Sequence, residues 1–140
     1  MHRKTVVALL GAIVMAVAGS GVALAATSGP SVTVTVKNGT KTLVQRVARG
    51  ETGWITKGGT PHGKCPGNSA AGALDAATHG KWTGKYYASV GGVFITSIDG
   101  VKPKSSSYYW GIYVNGKAAS TGACAIKLHA GEKLLFKVVK

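Results

Sequence analysis

Carboxylates are scarce in this 140-residue chain: Glu51, Asp75, Asp99 and Glu132 are its only acidic residues, against 17 lysines and arginines. Acid–base catalysis by carboxylates needs two of them in environments that push their proton affinities apart. Here they fall singly, one in a loop, one on an exposed helix face and two beside turn glycines, and the reading brings no two together. Gly67-Asn68-Ser69 starts like a nucleophile elbow but lacks the closing glycine and a preceding strand. Both absences point to a protein that is not an enzyme. Lysine and arginine runs are missing as well, although the net charge is +13. A nucleic-acid surface concentrates its basic residues, so no nucleic-acid partner is expected. Phenylalanine is limited to two residues, which leaves core building to valine, alanine and the few tryptophans.

One long uncharged stretch is present, and it lies at the start. Met1-His2-Arg3-Lys4 is cationic, Thr5 to Ala26 is uncharged and mostly apolar, and Ala23-Leu24-Ala25 has the small-x-small form that signal peptidase cleaves. The reading is a secretory signal over 1–25, a short leader over 26–30 and one domain over 31–140, with no membrane span after cleavage. The alternative is an uncleaved anchor, since about 20 apolar residues can cross a bilayer. Loss of Arg3 and Lys4 from 17 basic residues leaves 15 against 4 acidic ones, a net +11. Such a charge favours anionic surroundings, wall polymers among them.

Cysteine occurs twice, at Cys65 and Cys124. In an exported domain of this size an even pair reads as a disulfide. The competing reading is a metal site, with His62-x-x-Cys65 and Cys124-x-x-x-x-His129 supplying two sulfurs and two imidazoles. Export favours the bridge, so no metal and no cofactor is assigned. A Cys65 thiol beside His62 or His79 is disfavoured on the same ground.

Val32-Thr33-Val34-Thr35-Val36 alternates strictly between valine and threonine, the period of a half-buried strand. Asn38-Gly39 is the preferred pair for a type I′ turn and returns the chain into a second strand over 42–48. The glycine-rich segment 50–67 is a long loop. Ala70, Ala73, Leu74 and Ala77 share one helical face, with Asn68 or Ser69 to cap the start and Gly80 the end. Residues 81–92 read as a second loop, 93–98 as a strand ending in the turn Asp99-Gly100, and 108–114 as a strand. Asn115-Gly116 repeats the hairpin signal, 125–128 is a short strand or extended piece, and 133–139 closes the chain with Leu134, Phe136 and Val138 facing inward. The expectation is an α+β fold: a β-grasp-like mixed sheet of five to six strands with one short helix packed on it.

Four segments carry a family resemblance: Ser69–Ala77, Val93–Gly100, the Tyr-Trp-Gly-Ile-Tyr-Val-Asn-Gly of 109–116, and Gly131–Phe136. Together they resemble the transcobalamin-like C-terminal domain, a bacterial domain related to the β-domain of animal cobalamin carriers. Cys65 and Gly122-Ala123-Cys124 match the cysteine positions of exported bacterial members. In the carriers the small β-domain closes over one face of the corrinoid and a helical barrel, missing here, supplies the rest. The resemblance therefore implies a binding or display role.

Aromatic residues are the leading ligand candidates. Trp82, Tyr86, Tyr87, Tyr108 and Tyr109 lie in or beside loops that could meet at one end of the sheet. They offer flat apolar area with polar tips, suited to stacking on sugar rings, corrin edges or partner proteins, and the alternative for each of the five is a place in a small core that has only two phenylalanines. Trp110, Phe94 and Phe136 are assigned to the core, and His79 and His129 to the surface or to caps. The expectation is a secreted or wall-associated binding module using aromatic loops and a basic surface, with an unknown ligand or surface partner; the alternative is a domain for a corrinoid-like small ligand.

Overall fold

The computed structural model describes residues 29–140. The expected export signal and the first residues of the leader lie outside the described residues. Seven strands and one α-helix make up the domain: β1 (Ser31–Asn38), β2 (Lys41–Arg49), α1 (Ala70–Thr78), β3 (Trp82–Tyr87), β4 (Gly92–Ile98), β5 (Tyr109–Val114), β6 (Lys117–Ala118) and β7 (Lys133–Val139). Five strands form a mixed sheet in the order β2-β1-β7-β5-β6, and β3 and β4 form a separate antiparallel pair. The fold is therefore α+β, with more strands than the sequence suggested and with two sheets rather than one.

The valine–threonine alternation of β1 does what its period dictates. Val32, Val34 and Val36 are buried, while the threonines between them stay partly exposed on the opposite face. β1 runs antiparallel to β2 and parallel to β7, so the first and last strands lie side by side at the sheet centre. β7 in turn pairs antiparallel with β5, placing Phe136 opposite Ile112 and Val138 opposite Trp110.

The first hairpin turn sits one residue later than expected. Asn38 pairs with Lys41, leaving Gly39 and Thr40 as the two central residues. Only Gly39 of these has positive φ, +60°, the pattern of a II′ turn with glycine first. A register shift between Val36 and Lys37 accompanies the displacement. At Asn115-Gly116 both residues do have positive φ, as a I′ turn requires, and Val114 pairs with Lys117.

α1 is capped by Ser69, whose hydroxyl accepts from the Gly72 N–H, and it ends with His79 in the left-handed region. Ala70, Ala71, Ala73, Leu74 and Ala77 are fully buried. Side chains this small let the helix lie close against the sheet, chiefly over β2. Two N–H groups at its start find acceptors outside the helix: Ala70 donates to Ile126 O and Ala71 to Ala123 O. Those carbonyls flank Cys124, which is bonded to Cys65 across 59 residues of sequence. The segment 125–128, expected as a short strand or extended piece, is irregular chain with a single bridge, Ser69 to Lys127.

The stretch 81–92, expected as a loop, is mostly strand. Trp82, Gly84 and Tyr86 are more buried than Thr83, Lys85 and Tyr87, which face outward. Gly84 sits at a register shift, where a Cβ would collide with the Val93 side chain and press on Phe94 O. The alternation is thus real but is masked in sequence by a glycine at an inward position and a tyrosine, Tyr87, at an outward one. Among the described residues no helix is long and apolar enough to cross a membrane.

Candidate functional site

A groove of about 250 Å³ opens between β4 on one side and β5 with β6 on the other. Phe94, Tyr109, Trp110, Ile112, Thr121 and Gly122 are among its lining residues. Strand periodicity explains its aromatic rim. In Val93-Phe94-Ile95 only alternate side chains can enter the core, and Val93 and Ile95 do so, each 3 % exposed. Phe94 must then face outward, and it is 48 % exposed. This corrects its assignment to the core. Tyr109, on β5, is 45 % exposed, whereas the next residue, Trp110, is buried. The Trp110 indole N–H is shielded from solvent and has no hydrogen-bond partner, a state that ordinarily costs free energy.

The five aromatic residues singled out from sequence are not gathered at one end. Trp82 is 3 % exposed, and its indole N–H donates to Asp75 Oδ1 at 2.6 Å. Its polar tip is used internally and its ring lies in the core, so it presents no face to a ligand. Tyr86 packs against the core from a half-buried position. Tyr87 is exposed, with the Lys85 ammonium 5.3 Å from its ring centroid. Tyr108 lines a different pocket, with Lys104 4.8 Å from its ring centroid. Only Tyr109 reaches the groove, and Phe94 and Trp110 join it. The signal for Phe94 was available in the alternation of β4. The position of Trp110 at the groove floor depends on how the two sheets meet, which local sequence does not encode.

The carboxylates also differ from expectation, since Glu51 and Asp75 come together. Asp75 lies near enough to Glu51 to raise its proton affinity, and its Oδ1 lies 3.3 Å from Lys57 Nζ. Lys57 donates in addition to the carbonyls of Gly80 and Trp82. Glu51 is held above its ordinary carboxylate value, first by burial and then by Asp75, with Lys57 acting in the opposite sense. The cluster ties the 50–67 loop to α1 and β3. The chain separation of 24 positions between these acids hid the contact; the long loop closes it by pairing Ile55 N with Cys65 O and Glu51 N with Gly67 O.

The alternative metal site loses its sulfurs to the Cys65–Cys124 bond. His62 meets Trp54 edge-on, ring centroids 5.6 Å apart, and His129 Nδ1 lies 3.1 Å from Glu132 Oε1. Among the described residues no group of three or more His, Cys, Asp or Glu is placed to hold a metal ion. His79 caps α1 and contacts Arg46 at 2.7 Å.

Two solved structures share the fold. Haptocorrin in complex with Cbi superposes with a TM-score of 0.59 at 19% identity, covering 81% of this chain and 26% of haptocorrin. The chain therefore spans about a quarter of that protein. A proposed metal binding protein from Ruminococcus gnavus ATCC 29149 gives a TM-score of 0.55 at 19% identity, covering 79% of this chain and 97% of that one. At these identities the likeness is one of fold. No curated protein matches the chain. Residues 67–140, from the start of the helix segment through the groove strands to the C-terminus, match a family model, and the chain belongs to the family described as Domain of unknown function (DUF4430).

Proposed function

We propose that this protein is an exported, non-enzymatic binding module whose ligand seats an apolar face in the groove between β4 and β5, while its lysine-rich surface retains it near anionic polymers. The observation that carries the reading is the pair Phe94 and Tyr109, two exposed aromatic rings on the rim of a groove with an unpartnered indole N–H among its lining residues. Exposed aromatic area of this kind is the usual anchor of a binding site. The disulfide is compatible with an oxidising, extracellular location. The sheet order, with β1 parallel to β7 at the centre, supports a β-grasp-like relationship, and the haptocorrin likeness supports a transcobalamin-like one.

A ligand that binds only the folded state raises its melting temperature by mass action. The low-molecular-weight fraction of the producing organism's culture medium should raise the melting temperature of the wild-type protein and leave Phe94→Ser/Tyr109→Ser unmoved. An equal shift in both proteins would remove the groove from the reading.

A corrinoid-like ligand is the second reading, favoured by the structural likeness to a protein solved with Cbi. Titration with Cbi should then perturb the corrinoid absorption spectrum in the presence of wild-type protein. An unchanged spectrum at excess protein would exclude it and leave the first reading intact.

A further inference from the structure

Both arginines of the described chain, Arg46 and Arg49, stand on β2, the strand at one end of the five-stranded sheet. β2 is nine residues long and is paired along one edge, by β1. Hydrogen-bond direction shows what the other edge carries. Thr33 N donates to Glu132 O on the β7 side of β1, so Thr33 and Thr35 point that way while Val32, Val34 and Val36 point to β2. Their partners Ala48, Arg46 and Val44 point back to β1. Gln45, Val47 and Arg49 therefore direct their N–H and C=O groups away from the sheet, and among the described residues no backbone group meets them. Such an edge is a template for one more strand.

Its side chains restrict what can be added. Val47, in the middle of this stretch, is 68 % exposed. Neither arginine has a carboxylate partner: the salt bridges are Lys57–Asp75 and His129–Glu132, Glu51 lies with Asp75, and Asp99 sits in the turn after β4. The C-terminal carboxylate follows β7, two strands away, and leaves it level with the first hairpin turn, whereas Arg46 is level with Leu134 near the start of that strand. The Arg46 guanidinium contacts His79 Nε2 at 2.7 Å, which holds it beside the edge. Like charges directly opposite are destabilising, so Lys41, Arg46 and Arg49 oppose pairing of β2 with a second copy of itself.

We propose that the free edge of β2 takes up an extended segment of another polypeptide, carrying anionic side chains, as a sixth strand of the main sheet. In strand addition the main-chain bonds supply affinity and the side chains supply selection. Antiparallel pairing is the more stable per residue, and in that sense register dictates the segment: anionic residues opposite Arg49 and Arg46 and an apolar one opposite Val47, in the order anionic, any, apolar, anionic. The open edge selects a polypeptide backbone over a polysaccharide or a lipid surface, and the arginines select its charge. The edge is separate from the groove, so this proposal and the groove reading stand or fall apart.

The test is calorimetric titration of the purified protein with the acetylated and amidated peptide Thr-Val-Glu-Thr-Val-Glu-Thr-Val. Binding is expected, weakening as salt rises. An analogue with lysine at both glutamates should not bind. Nor should one N-methylated at the residues opposite Gln45, Val47 and Arg49, which keeps the charge and removes the edge hydrogen bonds. A phosphoserine analogue should bind, since the guanidinium fork fits both anions, and the tighter of the two names the source of the charge. Arg46→Gln/Arg49→Gln should weaken binding by about tenfold, and Lys102→Ala/Lys104→Ala, which removes the same charge elsewhere, should leave it within about twofold. Val47→Pro deletes an outward N–H, leaves the β1 ladder whole and should weaken binding by about tenfold. Equal melting temperatures would show that the variants remain folded, and the peptide analogues carry the test if Val47→Pro does not fold. Absence of binding, equal binding by the lysine or N-methylated analogue, or equal weakening by the two cation pairs would overturn the proposal. So would hyaluronate binding as tight as the peptide, or sedimentation of the free protein as a dimer, which would give the edge to a second copy.

Discussion

Gly72 stands in the first turn of α1, where helix propensity alone would favour alanine by about 1 kcal/mol. Packing reverses that preference. A Cβ at Gly72 would fall onto the carbonyl oxygen of Gly67, which is backbone and cannot swing away. Gly72→Ala should therefore destabilise the protein by about 3 kcal/mol, the upper part of the overpacking range. Denaturant unfolding reads this directly, and a neutral or stabilising effect would contradict the close approach. Glu51 supplies a pH dependence. Its folded-state affinity for a proton is raised above the ordinary value of 4.5, chiefly by burial. A raised group contributes stability that is fully present below its unfolded value and is lost as pH rises through the folded one. Stability should thus decline on this account as pH climbs from 4.5 through the raised value, and Glu51→Gln should flatten the decline and be the more stable protein at pH 7. Parallel stability–pH curves for the two proteins would refute this placement of Glu51.

The elements differed in how plainly the sequence announced them. β1 was legible because its alternation is unbroken over Val32–Val36, and α1 because its small apolar residues recur at helical spacing between a serine cap and a glycine. β3 was hidden: Gly84 at an inward position and Tyr87 at an outward one disguise a two-residue period, and the strand is fixed by pairing with β4 rather than by its own propensity. The shift of the first turn from Asn38-Gly39 to Gly39-Thr40 follows from register along the paired strands, a non-local quantity. The candidate site was legible only in part. Tyr109 was singled out and the outward position of Phe94 is written in the alternation of β4, but Trp110 became a groove residue through the meeting of two sheets, and Trp82 was drawn inward by Asp75. The disulfide joins these elements. It holds the loop ahead of α1 to the segment whose carbonyls receive the first N–H groups of the helix. Replacing both cysteines by serine should cost about 4 kcal/mol for a loop of this length on the chain-entropy model. Chemical denaturation of the double variant measures it, and a stability within about 1 kcal/mol of wild type would show that the loop is held without the bond.

For the molecule as a whole, two features act on different ranges. A net charge of +13 with 4 acidic residues produces a field that extends about 10 Å at moderate salt and draws the protein toward anionic surroundings without selecting among them. In the proposed function the groove acts only at contact, and its shape is what selects. The central claim is that an apolar ligand is held between β4 and β5. Native mass spectrometry of the protein recovered from culture medium tests it most directly. The wild-type chain is predicted to carry a bound species of defined extra mass that is missing from Phe94→Ser/Tyr109→Ser. Both proteins appearing at the mass of the bare chain, or both carrying the same species, would contradict the account.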